Sequence, residues 1–233
     1  MSREIDAVRA RYDRRRQLPE SSLYSPLNPS HYLCIQEKER ALIRWIKTCG
    51  LAPVENRNVL EIGCGGGGNL LQFLKLGFRP ENLVGNELLE ERSKKAREMM
   101  PASTRIISGD ALTIDLPEQS FDIVFQSTVF TSILDSEFQS KLAGRMWDLA
   151  KPGGGVLWYD FIYNNPNNPD VRGIGIRRIR ELFPNGQISK WKLTLAPPIS
   201  RFVTRIHPGL YSVFNALTFL RTHVLCWVQK PSN

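Results

Sequence analysis

Asn58-Val59-Leu60-Glu61-Ile62-Gly63-Cys64-Gly65-Gly66-Gly67-Gly68 decides the fold of this chain. A short apolar run carries one acidic residue, five glycines then fall within six positions, and a helix-like pattern resumes at Asn69. Glycine is what a backbone needs where it turns sharply or approaches a ligand closely. Between a strand and a helix N-terminus, such a loop cradles a nucleotide-like cofactor. Gly63-x-Gly65-x-x-Gly68 formally matches a dinucleotide fingerprint, but Glu61 argues otherwise. A carboxylate two positions before the first glycine would sit close to a pyrophosphate and repel it. A phosphate-free cofactor carrying an ammonium and a sulfonium, such as S-adenosylmethionine, reverses that preference.

Outward from the loop, strands and helices alternate. Strands are expected at Val59–Ile62, Leu83–Asn86, Arg105–Ser108, Asp122–Gln126 and Val156–Asp160. Helices are expected at Asn69–Leu76, Glu90–Met100 and Ser136–Ala150, with a turn at Lys151-Pro152-Gly153-Gly154-Gly155. Short apolar strands alternating with helices argue for a parallel sheet covered on both faces. Later, a helix near Ile176–Phe183 precedes strands at Ile188–Leu195 and His223–Gln229, which suggests an antiparallel edge. The expected fold is therefore α/β: a Rossmann-like three-layer sandwich with a seven-stranded, mostly parallel sheet. Upstream, residues 2–16 read as a charged helix, 17–32 as a Pro/Ser/Asn-rich loop, and Cys34–Cys49 as a helix ended by Gly50. Residues 1–50 are thus expected to form a helical cap or lid on a main domain spanning 51–233.

Five pieces of this pattern, in register, resemble the class I S-adenosylmethionine-dependent methyltransferases. They are Glu61-x-Gly63-x-Gly65-x-Gly67, Gly85-Asn86-Glu87, Ser108-Gly109-Asp110-Ala111, Phe121-Asp122-Ile123-Val124-Phe125 and Lys151-Pro152-Gly153-Gly154. The resemblance covers about residues 55–162 and implies S-adenosylmethionine as cofactor. It implies that Glu61, Gly63, Cys64, Gly65 and Gly67 surround the methionine moiety, with Cys64 as a spacer. Glu87 and the adjacent Leu88 would meet the ribose, Asp110 the adenine amine, and Ala111 would leave room beside the ring. Gln126 would face the reacting methyl.

The acceptor is less constrained. Net charge is +8, with Arg3, Arg9, Arg11, Arg14, Arg15 and Arg16 at one end and Arg172, Arg177, Arg178 and Arg180 further on. Anionic partners or solvated helix faces both fit that balance. The segment after the fourth strand, Gln126-Ser127-Thr128-Val129, lacks the Asn-Pro-Pro-aromatic signature of nucleic-acid amino-methyltransferases, and no cysteine follows the fourth or fifth strand. Both features argue against nucleic acid. After the fifth strand, Asp160, Tyr163, Asn164, Asn165 and Arg172 suit a hydroxylated or anionic acceptor, and Tyr24 could close over it. Asp160 and His31 are the candidate general bases. No metal is expected, because the Asp and Asn spacing departs from the adjacent pair of catechol-type enzymes. The segment Ile199–Leu220 reads as a helix covering the acceptor side, with an interfacial role near a lipid-linked acceptor as the sharper reading.

The working expectation is O-methylation of a sugar or other small hydroxylated metabolite in a bacterial polysaccharide or natural-product pathway. The alternatives are an RNA or protein methyltransferase using the basic N-terminus, or a nicotinamide-dependent oxidoreductase. No stretch is long and apolar enough to span a bilayer, and no signal-peptide core is present, so a cytoplasmic location is expected. Cys34, Cys49, Cys64 and Cys226 show no paired spacing, in keeping with a reducing compartment.

Overall fold

A computed structural model describes residues 3–17, 25–165 and 168–232. Its centre is a seven-stranded sheet in the order β3-β2-β1-β4-β5-β7-β6. These are β1 (Val59–Ile62), β2 (Leu83–Glu87), β3 (Arg105–Ser108), β4 (Phe121–Ser127), β5 (Ala150–Phe161), β6 (Gln187–Leu195) and β7 (Arg221–Gln229). β1 to β5 pair in parallel, whereas β7 runs antiparallel to both β5 and β6. The expected sandwich and its antiparallel edge are therefore present.

Every residue of β1 is buried, as a parallel strand covered on both faces must be. Alternation along the strands then separates two apolar layers. Leu60, Ile62, Val124 and Trp158 face α5 (Ser136–Leu149) and α6 (Ile176–Leu182). Val59, Phe125, Leu157 and Trp227 face α2 (Pro29–Thr48) and α3 (Gly68–Lys75). α4 (Glu90–Met99) joins the second layer through Ala96. Strand order reverses between β1 and β4, the crevice where open α/β sheets hold ligands.

Three elements differ from expectation. α2 starts at Pro29, not Cys34: Asn28 Oδ1 accepts from Ser30 N at 3.0 Å, and proline suits a first turn because its missing N–H has no helical partner there. β5 starts at Ala150, so the glycines expected to form a turn are an irregular stretch of strand, with a register shift opposite Phe121 and Ile123. Only glycine fits this approach, since a Cβ on Gly155 would lie 2.4 Å from the Val228 carbonyl oxygen. The segment Ile199–Leu220 is two helices, α7 (Pro197–Ile206) and α8 (Leu210–Ala216), separated at His207-Pro208-Gly209. The buried Glu37 carboxylate ties α8 and β6 to α2, accepting from Tyr211 Oη at 2.6 Å, Asn215 Nδ2 at 2.8 Å and Thr194 N at 2.9 Å. Upstream, α1 (Arg3–Gln17) lies against the sheet body, and Val8 joins the first apolar layer.

Candidate active site

The site is built at the β1/β4 reversal. Gly63 has φ +69°, and a Cβ there would lie 2.5 Å from Val129 Cγ2. The loop after β1 and the turn after β4 thus press together, which a side chain at residue 63 would prevent. β2 delivers Glu87, only 4% exposed, into the same corner. Glu87 Oε2 accepts from Gly65 N at 2.8 Å, while Oε1 accepts from Leu89 N at 3.0 Å. One carboxylate therefore fixes the glycine loop and the start of α4, leaving its remaining lone pairs for a ligand. Asn86 Nδ2 donates to Gly109 O at 3.0 Å, and Asp110 Oδ1 accepts from Leu112 N at 3.0 Å, which shapes the loop after β3.

Glu61 is fully buried. Its Oε1 accepts from Asn69 Nδ2 at 2.6 Å, and its Oε2 has no hydrogen-bond partner. Burial pushes this carboxyl above the usual range, opposed by the Asn69 hydrogen bond and the Lys38 ammonium. Lys38 Nζ donates to Asn69 Oδ1 at 2.5 Å, and burial in turn lowers its own basicity. Arg92 reaches the same corner, with its guanidinium 5.1 Å from the centre of the Tyr12 ring.

Gly63, Glu87, Leu88, Asp110 and Ala111 line one cavity of about 110 Å³ together with Val129 and Phe138. Ile5, Val8 and Tyr12 of α1 cover it. Acidic groups at one edge and an apolar slot at the other suit a ribose and an adenine. The unpartnered Glu61 oxygen suits an ammonium, because a buried acceptor without a donor is costly. A pyrophosphate would instead face both Glu61 and Glu87. The residues present fit S-adenosylmethionine.

The other expected residues fall in different surroundings. Cys64 is buried with Sγ 3.8 Å from Gly65 O, and burial raises its thiol pKa. Gly65 and Gly67 act through backbone: Gly65 N holds Glu87, and Gly67 precedes α3 in a left-handed conformation. Gln126 is buried beside the cavity wall, its Oε1 accepting from Val129 N at 3.1 Å and its Nε2 unpartnered. Asp160 is fully buried, accepting from Thr131 N at 3.3 Å and Phe161 N at 3.1 Å; burial pushes its pKa up to about 7. It holds the turn after β4 and is closed to an acceptor. Tyr163 is exposed, 3.4 Å from Lys192 Nζ. Asn164 Oδ1 accepts from Gly173 N at 3.0 Å, so this amide shapes its own loop. Asn165 and Arg172 are exposed and, like Tyr163, do not line the cavity, and Tyr24 lies outside the described residues. Among the described residues, no group of three or more His, Cys, Asp or Glu is placed to hold a metal ion.

A second polar cluster lies at the ends of β5 and β7. His223 stacks on Tyr159 with centroids 5.2 Å apart, and Lys38 Nζ is 5.3 Å from the Tyr159 ring centre. Burial and the Lys38 charge push His223 down to about 4 and also lower His31. Only His31 of this group is expected from sequence; Lys38, Tyr159 and His223 come together through tertiary packing. The cover provided by α1 has a legible signal, since Ile5, Val8 and Tyr12 form an apolar stripe on an otherwise charged helix. Arg92 has none.

Comparison with known proteins agrees with this geometry. Residues 59–154 match the family described as "Methyltransferase domain". The chain is 32% identical over 114 residues to the fatty-acid O-methyltransferase of Mycolicibacterium smegmatis, covering 48% of this chain and 40% of that protein. It thus spans about two fifths of that relative's length. An uncharacterized methyltransferase of Bacillus mycoides is 28% identical over 181 residues, covering 75% of this chain and 77% of the other. The crystal structure of an S-adenosylmethionine-dependent methyltransferase from Archaeoglobus fulgidus superposes with a TM-score of 0.58 at 16% identity, covering 86% of this chain and 100% of that one. Residues 59–154 thus carry the pattern of a methyltransferase domain, and the fold is the one shared by S-adenosylmethionine-dependent methyltransferases, whose cofactor the residues of this cleft fit.

Proposed function

We propose that this protein transfers a methyl group from S-adenosylmethionine to an oxygen of a small hydroxylated metabolite. The observation that carries the reading is a cavity lined by Glu87 and Asp110, with a buried, unpartnered oxygen of Glu61 close enough for its charge to act on Glu87. When bound, the cofactor supplies an electrophilic methyl on a sulfonium. Glu61 would accept from its ammonium, Glu87 from its ribose hydroxyls and Asp110 from its adenine amine, while Leu88 and Ala111 flank the ring. α1, as part of a cap formed by residues 1–50, excludes water from the cleft.

His31 is our candidate base. With its pKa lowered by burial and by Lys38, its imidazole is uncharged at neutral pH and can take a proton from an acceptor hydroxyl. Asp160 acts as a positioning residue, through the turn that carries Thr131. Tyr163, Asn165 and Arg172 rim the acceptor side and suit a sugar or another anionic, hydroxyl-bearing molecule. The fatty-acid relative extends the acceptor range to be tested to carboxylates. We place the reaction in a cytoplasmic polysaccharide or natural-product pathway, where its four free thiols would stay reduced. Arg11 is engaged by Glu4, and Arg14 by Asp170, so these two arginines of α1 are not free for RNA.

The test pairs thermal shifts with labelled-methyl transfer to a panel of sugars, hydroxy acids and fatty acids. S-adenosylhomocysteine at 100 times its dissociation constant should stabilise the protein by about 2.7 kcal/mol. Stabilisation by NAD alone would remove the methyltransferase reading. Transfer to fatty acids alone would remove the hydroxyl acceptor.

A further inference from the structure

Among the described residues, the outer faces of α7 and α8 carry exposed apolar side chains without cover. Phe202 is 65% exposed, Ile206 64%, Val213 62% and Phe219 71%, while the same helices bury Val203 and Tyr211 against Leu195 on the inner side. Isolated exposed apolar residues are ordinary, but several on adjoining helices mark an interaction surface. Leu27, 93% exposed, continues the surface, lining a hollow with Arg201 and Arg205 of α7. Neither arginine forms an ion pair among the described residues.

The charge pattern selects the occupant. Glu181 is the last acidic residue of the sequence, so the segment that carries α7 and α8 holds Lys190, Lys192, Arg201, Arg205, Arg221 and Lys230 and no Asp or Glu of its own. Cations beside protruding Phe, Ile and Leu side chains, as Arg201 and Arg205 are here, form the pattern of a helix lying in a membrane interface, its apolar face in the acyl boundary and its cations among phosphates. We propose that α7 and α8, with Leu27 and Phe219, dock the protein on an anionic lipid bilayer. The hollow between Arg201 and Arg205 receives lipid phosphates, and Phe202, Ile206 and Phe219 enter the acyl boundary. Glu37 binds α8 through Tyr211 and Asn215, so the docking face is fastened to the helix that carries His31 and Lys38. An acceptor drawn from the bilayer would then approach along α2.

Co-sedimentation of the full chain with vesicles tests this without cofactor or acceptor. Vesicles of phosphatidylcholine containing about one-third phosphatidylglycerol should bind the protein, increasingly as salt is lowered, and pure phosphatidylcholine should not. Arg201→Gln with Arg205→Gln should weaken partitioning about thirty-fold, at about 1 kcal/mol per cation and 1.4 kcal/mol per tenfold. Phe202→Ser with Phe219→Ser should weaken it too, and both variants should melt as the wild type does. Equal binding to both vesicles, retention by the arginine variant, or no binding at all overturns the proposal. So does a concentration-dependent dimer lost on Phe202→Ser, because a second copy would then cover the face.

Discussion

Glu87 permits the strictest test of the cofactor site, because the structure separates its two duties. Its carboxylate accepts from Gly65 N at 2.8 Å and from Leu89 N at 3.0 Å, which is the structural duty. The lone pairs left over face the cavity, which is the binding duty. Hydrogen bonds to a charged group contribute about 1.5–3 kcal/mol each. Glu87→Ala therefore loses about 3–6 kcal/mol of stability, enough to endanger folding. Glu87→Gln is the sharper variant. Its amide oxygen keeps one backbone bond, and its amide nitrogen faces the other N–H, so the stability loss falls to about 1–3 kcal/mol. The same nitrogen replaces an acceptor for the ribose hydroxyls and removes the charge. Affinity for S-adenosylhomocysteine should then fall by about 2–3 kcal/mol, roughly 30- to 150-fold. Isothermal titration calorimetry measures the affinity, and urea unfolding without ligand measures the stability. A folded Glu87→Gln protein that binds S-adenosylhomocysteine as tightly as the wild type would refute the ribose assignment.

Two further perturbations probe the surroundings of the site. Gly63→Ala places a Cβ 2.5 Å from Val129 Cγ2 at φ +69°. The left-handed backbone alone costs about 1–2 kcal/mol, so the melting temperature should fall by at least about 2–4 °C. Adding Val129→Ala should restore the part due to the clash, and a double variant no more stable than the single one would contradict the contact. His223 titrates near 4 in the fold and near 6.5 when unfolded. The unfolded chain therefore binds the extra proton between those values, and this group's contribution to stability falls as pH drops through the window. His223→Phe keeps the stacking on Tyr159 and removes the titration. Its stability relative to wild type should rise by up to about 3 kcal/mol between pH 7 and pH 4.5 in urea unfolding, and an unchanged difference would place His223 in solvent.

The donor half of the site was legible in the sequence because it is local. Glu61 and Glu87 lie in the last two residues of β1 and β2, and the glycines and Asp110 lie just past β1 and β3, so strand ends alone bring them to one edge of the sheet. The strands were legible for the same reason, with three of the four residues of β1 apolar and Glu61 the exception. The start of α2 and the break between α7 and α8 had local signals, at Asn28-Pro29 and at Pro208-Gly209, whereas other departures were set by partners distant in sequence. The Lys151–Gly155 stretch reads as a turn until β4 and β7 approach it, and only Asp122 O and Val228 O explain its glycines. Asp160 reads as a strand-end ligand residue, but the turn holding Thr131 closes over it, a contact 29 residues distant in sequence. The Lys38, Tyr159 and His223 cluster needs three elements from separate parts of the chain, and no spacing announces it.

Glu61 and the cluster around Lys38 meet through one side chain. Asn69 opens α3 immediately after the glycine loop, donating to Glu61 on the cofactor side and accepting from Lys38 on the other. Lys38 in turn lies over the Tyr159 ring and depresses the basicity of His31 and His223. Glu61 and Lys38 are each shifted toward neutrality by burial and each held charged by the other. A cofactor ammonium against the unpartnered Glu61 oxygen would favour the ionised carboxylate. That carboxylate would favour the Lys38 ammonium through Asn69, and the ammonium would keep the histidines uncharged. Under the proposed function, the protonation of His31 would thereby be tied to the presence of the methyl donor.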